Sequence, residues 1–435
     1  MKQHLDLMNR ILEDGTEKGD RTGTGTMSMF GGMSKYSIQH NLWPIPTTRE
    51  VNHKHISAEL EWMIKGMISV QWLKDNDVPI WNSWAGDKTG TIGPMYGEQW
   101  RNWNAESMSK NDRAALQIAF DELEWEKHQG DIGSFMIELR AVMAGFFNEK
   151  TKPYEQGGRG GTDQLKYVAE ELKNNPDSRR IAVSIWHAGL LPESDVSPKD
   201  NADNGKMALA PCHSMWQVDT KQLTDMEILR EIVYQDEKFK PTIEEALADY
   251  ATMASTEVVK LISFNASVFA VTKGWCELMK EEVSGHQDAR SQIAGYRHLD
   301  AHRDRNYLIS AEGRILIDQY KASGKPTRKL SLLCFARSQD VPLGTVYNQG
   351  MYSLMAKLLA SQTNMIPWEY THFMGDHHIY RNQVPFVEKQ LTRTPMKPCR
   401  VYIDPELTDI TQFDHKKLVV DYVSHEKIVF PRAAV

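Results

Sequence analysis

Apolar and polar positions alternate along this chain with two periods. "HISAELEWMIKGM" places Ile56, Leu60, Met63 and Ile64 at helical spacing, and "MKQHLDLMNRILEDG" does the same with Leu5, Met8 and Leu12. "DQLKYVAEELKNNPDSRRIAVSIW" reads as helix, turn, strand. "ALAPCHSMWQVD" alternates as a strand after a proline, "KLSLLCFARSQD" reads as a strand, and "YNQGMYSLMAKLLASQT" as a turn into a helix. "WEYTHFMGDHHIYRNQVPFVEKQL" reads as strand, loop, helix, and "CRVYID" as a short strand near the tail. "DRTGTGTMSMFGG" reads as a tight glycine turn feeding a strand. Two stretches, about 105–160 and 221–327, are charged and rich in helical pattern. They read as insertions into one α/β domain spanning 1–435 rather than as domains in series.

Composition narrows the class. Of 435 residues, 41% are hydrophobic and 25% charged, ordinary for a chain that buries a core. A formal charge of -7 argues against general nucleic-acid binding. The most apolar run, "VVKLISFNASVFAVT", is broken by Lys260 and Asn265 and falls short of the ~20 residues of a membrane span. The first helix lacks the apolar centre of a signal peptide. Four widely spaced cysteines, Cys212, Cys276, Cys334 and Cys399, suggest free thiols in a reducing compartment. The expectation is a soluble cytoplasmic protein.

Candidate chemistry is sparse when residues are taken singly. Cys212 reads as a small buried hydrophobe, half of a metal site, or a nucleophile, and base rates favour the first. His213 adds little, because strand neighbours point to opposite faces. "NHKHIS" and "GDHHIY" bring histidines without matching cysteines, so no metal is expected. "GGRGG" matches no phosphate-loop fingerprint and reads as a linker. Arg21, Arg179, Arg180 and Arg337 are suited to phosphate if the fold gathers them. Glu59 and Glu61 are two apart on a helix, so at most one is expected to face the core.

Taken in order, "DRTGTGT", "AELEWMIKG", "IWNSWA", "GPMYGEQWR", "NPDSRRIAVSIW", "ALAPCHSMWQ", "ARSQDVPLGTVYNQGMY", "GDHHIYRN" and the terminal "AAV" resemble the thymidylate synthase family. The resemblance implies an α/β (α+β) fold with a mixed sheet packed with helices, a sheet-to-sheet homodimer with shared active sites, and two mainly helical insertions. It implies dUMP as substrate and 5,10-methylenetetrahydrofolate as co-substrate. Cys212 then matches the nucleophile that adds to C6 of uracil, and Arg337 the arginine beside sulfur and phosphate. Arg21, Arg337 and Ser338 match phosphate ligands of one subunit, and Arg179 and Arg180 those of its partner. His378 and Tyr380 match the deoxyribose ligands. Asn348 matches the base reader, whose amide suits uracil rather than cytosine. Glu59, Tyr96 and His213 match the proton-handling set. Trp81, Trp84, Asp340, Gly344, Tyr347 and Val435 fall on the folate side.

Departures from the family pattern cluster on that side: Asn82 and Ser83 for an acidic pair, Tyr347 for phenylalanine, His187 for asparagine, Asn52 for a basic or histidine position, and His377 for a small residue. With the large insertions, they tilt the resemblance toward hydroxymethylating relatives from viruses of bacteria with modified DNA. Plain thymidylate formation is the alternative, favoured by Trp81 and the terminal valine. A catalytically inactive nucleotide-binding or assembly protein is a third reading, opposed by the intact Cys212, Arg337, Asn348 and Glu59.

Overall fold

The computed structural model describes residues 1–19, 23–103, 161–234 and 311–431. Its frame is one six-stranded mixed sheet. The described elements are α1 (Lys2–Asp14), β1 (Thr16–Lys18), β2 (Thr26–Ser37), α2 (His53–Ile64), α3 (Gln71–Asp75), α4 (Gly97–Arg101), α5 (Gln164–Asn174), β3 (Ala182–Ser184), α6 (Pro198–Asp203), β4 (His213–Gln222), α7 (Asp225–Tyr234), α8 (Ala311–Ala322), β5 (Arg328–Asp340), α9 (Gly344–Gln362), β6 (Ile366–Tyr380), α10 (Val384–Leu391), β7 (Arg400–Tyr402) and β8 (Val419–Asp421). The strand order is β1-β2-β6-β5-β4-β3, with β7 and β8 forming a separate ribbon. Only β5 and β6 are parallel; every other neighbouring pair is antiparallel.

One face of the sheet carries the core. Helix α9 is apolar on nearly all sides and is buried along most of its length, as a helix packed in the middle of a domain must be. It packs on β5, β6 and α2. Trp43, Trp62, Trp100 and Trp216 are fully buried around it, and the Trp43 indole N–H donates to the Gly350 carbonyl at 2.8 Å. A smaller cluster joins α1 to α10 and to Ile428 and Phe430 near the C-terminus. A third joins α7 and α8 over Ile366. These two helices are the described ends of the second expected insertion; most of both insertions lies outside the described residues. Among the described residues, no helix is long and apolar enough to cross a membrane.

Among the described residues, the opposite face carries an exposed apolar row. Met215, Phe335, Phe373 and Met33 are register partners in one row across β4, β5, β6 and β2. Met215, Phe335 and Met33 are exposed. Charged or polar residues normally occupy a solvated sheet face, so this row is an unmet apolar surface.

The strand, loop and helix expected of "WEYTHFMGDHHIYRNQVPFVEKQL" appear as β6, a short turn at Arg381–Gln383 and α10, with β5 and β2 pairing along β6 to its end. One expectation from the pattern is corrected. Helix α9 begins at Gly344, so Tyr347 and Asn348 sit on helix and the turn lies earlier, at 341–343.

Buried Lys357 on α9 donates to the Ile38 carbonyl at 2.6 Å. Burial, and secondarily Arg400, pull its pKa from 10.5 down to about 7. A depressed folded-state value means stability is complete above the unfolded value and is lost as pH falls through the interval. Lys357→Met is therefore expected to stabilise the fold near pH 7 by about 1–3 kcal/mol, net of the orphaned carbonyl. Urea titrations at fixed protein concentration should show the gain shrinking toward pH 10; a gain independent of pH would contradict this account.

Candidate active site

Because β5 and β6 are parallel and their outer neighbours run the other way, four strand ends meet at one edge of the sheet. His213 at the start of β4 pairs with Ala336, Asp340 pairs with His378, and Tyr380 pairs with Thr26 at the start of β2. Cys212, His213, Arg337, Ser338, Asp340, His378 and Tyr380 are thereby gathered at the carboxyl ends of the parallel strands, the usual place for a ligand in an open α/β sheet. The Arg337 backbone N–H donates to the Cys212 carbonyl at 2.7 Å. Gly375 on β6 lets the Arg337 carbonyl come close: a Cβ there would meet that oxygen at 2.6 Å.

Cys212 is accessible to solvent, whereas its neighbour His213 is buried. Yet enough protein surrounds the thiol that desolvation is the largest influence on it, raising its pKa; Arg337 opposes this and Asp340 adds to it. An accessible group inside dense protein lies on the floor of a cleft. Arg337 is exposed, lies over the Trp186 ring at 5.5 Å, and reaches the Pro211 and Ala210 carbonyls only at 3.4 Å. Its guanidinium keeps donors for another acceptor.

The second wall is built by a strained loop. The Ala208 N–H donates to the Ile92 carbonyl at 3.0 Å, and Gly93 (φ 70°) has no room for a Cβ against the Lys206 carbonyl. This fastening leads into Tyr96, a non-glycine residue at φ 38° and ψ -93°, outside the ordinary allowed regions. Tyr96 accepts the Cys212 backbone N–H on its hydroxyl at 3.2 Å and stacks on the His213 ring at 4.1 Å. Glu59 on α2 accepts the Trp81 indole N–H at 2.8 Å. Burial pushes Glu59 from 4.5 up to about 7, against the opposing effect of that hydrogen bond. Trp81 lies 5.6 Å from Trp84 and 5.7 Å from Tyr96, ring to ring.

The expectation that only one of Glu59 and Glu61 faces protein is corrected: both are buried. Helix α2 is enclosed on more than one side, with the segment around His415 covering the face opposite Trp81. Glu61 accepts from Lys65 Nζ at 2.6 Å, the His415 backbone N–H at 2.8 Å and His415 Nδ1 at 2.6 Å. Glu61, Asp414 and His415 are also a possible three-donor metal group, but the Glu61 carboxylate already holds these three donors.

On α9, Gly344, Tyr347 and Asn348 stand at i, i+3 and i+4, and all three are half-buried while the residues between them are buried. They form an open stripe at the start of a helix that is buried from Gln349 to Ala360. Asp340, just before them, accepts from Gln383 Nε2 at 3.0 Å and from the Leu343 N–H at 3.2 Å, and burial raises its pKa. Gln383 Nε2 also reaches the Pro431 carbonyl at 3.2 Å, tying the C-terminal segment to this corner. His378 Nδ1 is 2.7 Å from Asp376, which is bridged to Lys18, and Tyr380 meets the His378 ring edge-on. Arg21 and Val435 lie outside the described residues.

Arg179 and Arg180 do not join this group. The Val218 N–H donates to the Ile181 carbonyl, so the arginines sit beside the far end of β4. At ~3.3 Å per residue this is about 20 Å from their own Cys212. Both are exposed.

Several site residues escaped the sequence reading. Arg49 is buried, donates to the Pro342 carbonyl at 2.7 Å, and its charge acts on Tyr347 and Asp340. Gln383 bridges Asp340 to Pro431, and the Tyr352 hydroxyl lies 2.6 Å from His213 Nδ1. Each is brought in by a fold contact across scores of residues. The available local signal was a lone arginine in "TTRE", a polar group in a segment otherwise packing as core.

With this geometry in place, comparison with family models is informative: the thymidylate synthase model matches residues 2–236 and 314–434. The match covers most of the chain and every described element of the cleft. This chain belongs to the thymidylate synthase family, whose members are folate-dependent one-carbon transferases acting at C5 of dUMP.

Proposed function

We propose that the chain makes 5-hydroxymethyl-dUMP, working as a homodimer in which each active site is completed by its partner. The observation that carries the chemistry is the accessible Cys212 on the cleft floor, with Arg337, Tyr96 and the near-neutral Glu59 around it.

In this reading the Cys212 thiolate adds to C6 of uracil and shifts an electron pair to C5 as the enolate. The folate co-substrate supplies a one-carbon unit at the oxidation level of formaldehyde. C5 forms a bond to that carbon and then loses its proton toward Tyr96 and His213; the bond from that carbon to the folate nitrogen breaks, tetrahydrofolate leaves with the electron pair, and an exocyclic methylene remains on C5. Water adds to the methylene, Glu59 takes the proton, C5=C6 re-forms and Cys212 leaves. A carboxyl titrating near 7 can both accept and return a proton at neutral pH. The stripe of Gly344, Tyr347 and Asn348 suits the base and the pterin edge, Trp81 and Trp84 offer an aromatic wall, and Asp340 offers a carboxyl whose pKa burial raises. Arg337, Ser338, His378 and Tyr380 suit the phosphate and sugar.

Polar replacements on the folate wall favour water over hydride as the last reactant. Asn82 and Ser83 are exposed, and Tyr347 and His187 are half-buried. Hydride transfer needs a dry stacked site. The second reading, thymidylate formation, rests on Trp81, whose indole is anchored to Glu59 and well placed to stack.

Two features support the dimer. The apolar row Met215–Phe335–Phe373–Met33 lies on the same face as Arg337, by strand alternation. Arg179 and Arg180 are far from their own site, so a twofold partner across this face could bring them to the other one. Two extra guanidinium groups would also lower the raised thiol pKa of Cys212.

Incubation with dUMP and methylenetetrahydrofolate should yield a nucleotide heavier by CH2O, together with tetrahydrofolate. A product heavier by CH2, with dihydrofolate, would establish the thymidylate reading instead, and no folate consumption would defeat both. Glu59→Gln is expected to lower kcat by about 100-fold or more. It should also stabilise the fold by up to about 3 kcal/mol above pH 7: a raised folded-state pKa stabilises below the unfolded value and is lost as pH rises through 7. Denaturant titrations at pH 5 and 8 check the sign. Mixing Arg180→Ala with Cys212→Ala subunits should restore turnover through one intact site per mixed dimer; inactive mixed dimers would refute sharing.

A further inference from the structure

Asp376, His378 and Tyr380 alternate along β6, so their side chains share one face of the strand. The Asp376 carboxylate is engaged at both oxygens. Oδ1 lies 2.7 Å from His378 Nδ1. Oδ2 accepts from Lys18 Nζ at 2.7 Å. Lys18 reaches it because β1 pairs with β2 and β2 with β6: Lys18 stands opposite Thr26, and Thr26 opposite Tyr380. His378 is buried, and its Nε2 has no hydrogen-bond partner among the described residues. The ring lies at the cleft edge, opposite Asp340 in register and with Tyr380 edge-on to it.

The contact between Asp376 and His378 has one direction. Burial pulls the Asp376 pKa up, but the hydrogen bonds from Lys18 and His378 outweigh it and hold the carboxyl below its ordinary value. An ionised carboxylate only accepts, and an ammonium only donates. Were His378 Nδ1 bare, its lone pair would face a carboxylate oxygen at 2.7 Å with no proton between them. A protonated Asp376 could supply that proton only with an ammonium on its other oxygen, which disfavours protonation. The proton therefore lies on Nδ1. A neutral imidazole carries one N–H, and the partner of one nitrogen decides the state of the other, so Nε2 is a lone pair. Without such a partner, a neutral imidazole favours the opposite tautomer, with its proton on Nε2.

We propose that Asp376, backed by Lys18, is a positioning residue that fixes neutral His378 as the Nδ1–H tautomer and so makes Nε2 an acceptor dedicated to a ligand hydroxyl. The sugar of dUMP has one free hydroxyl, at C3′, because C2′ carries none and C5′ bears the phosphate. That hydroxyl donates to His378 Nε2, and the pair thereby selects nucleotides with a donor at C3′. A nucleotide without that donor leaves the lone pair of a buried ring unmatched, which is how a site built for a hydroxyl rejects its absence. Asp376 acts through His378 and touches no substrate. The tautomer stands on the two hydrogen bonds of Asp376; its meaning for substrate choice rests on the sugar placement proposed above.

Nitrogen NMR of the full-length protein labelled with ¹⁵N-histidine reads tautomers directly at pH 8, above the ordinary histidine range, with His378→Gln used to assign the signals. His378 is expected as Nδ1–H with a bare Nε2. Asp376→Ala should move it toward Nε2–H, whereas Lys18→Met, which keeps the carboxylate, should leave it as Nδ1–H. Calorimetry then compares dUMP with its 3′-deoxy-3′-fluoro analogue, whose fluorine fills the place of the hydroxyl but cannot donate. The unaltered protein should prefer dUMP by about tenfold or more. Asp376→Ala should narrow that preference several-fold, because an Nε2–H no longer repels fluorine; a loss of packing alone would weaken both nucleotides alike. Finding Nε2–H on His378 in the unaltered protein, or Nδ1–H retained in Asp376→Ala, would overturn the proposal. Should Asp376→Ala not fold, the nearly isosteric Asp376→Asn takes its place: Lys18 claims the amide oxygen, the NH2 meets Nδ1, and the same two changes are expected. If the tautomers behave as stated but every variant binds the two nucleotides equally, the sugar placement fails and the positioning of His378 by Asp376 stands.

Discussion

The hydrogen bond from the Arg337 backbone N–H to the Cys212 carbonyl is the constraint around which the cleft is organised. It joins the first residues of β4 to the last of β5, and so fixes a thiol beside a guanidinium. The parallel pairing of β5 and β6 extends the same edge to His378 and Tyr380, and Gly375 removes the one Cβ that would prop the strands apart there. Loosening this bond would separate the Cys212 thiol from the guanidinium that counters its desolvation.

Around that edge, polar groups are held at some energetic disadvantage. Tyr96 has a strained backbone, Glu59 is buried with one hydrogen bond, and Cys212 has a thiol pKa raised by its surroundings. Such groups persist because rigid packing surrounds them: α9 fills the inner face of the sheet, and the main core reaches from α2 to β4. The cost in stability and the capacity for proton transfer come from the same burial. The exposed apolar row on the outer face has the opposite character, an area whose burial would stabilise the protein.

Much of the architecture was legible in the residue pattern. The α2 stripe, the β4 alternation and the helix–turn–strand around Arg179 and Arg180 all appear where spacing places them. The errors have a common cause. A helix buried on nearly every side can begin among glycine and polar residues that look like a turn, as α9 does. A helix enclosed on several sides can bury two glutamates that simple amphipathicity would separate, as α2 does. Local pattern reports one face at a time, whereas these segments are covered on more than one.

Sequence by itself determined the types of chemistry on offer: a cysteine after a proline in an alternating strand, arginines in turns and at strand ends, an asparagine whose amide is both donor and acceptor, and the ordered motifs of the family. These are properties of individual side chains and short spacings, and they survive without coordinates. Tertiary structure alone decided which of them meet. It set Cys212 in the open and His213 in the interior, moved Glu59 to about 7, brought Arg49 and Gln383 to Asp340, and placed Arg179 and Arg180 at the wrong end of the sheet for their own cleft. Desolvation and strand register are sums over residues distant in the chain, and no local stretch of sequence contains them.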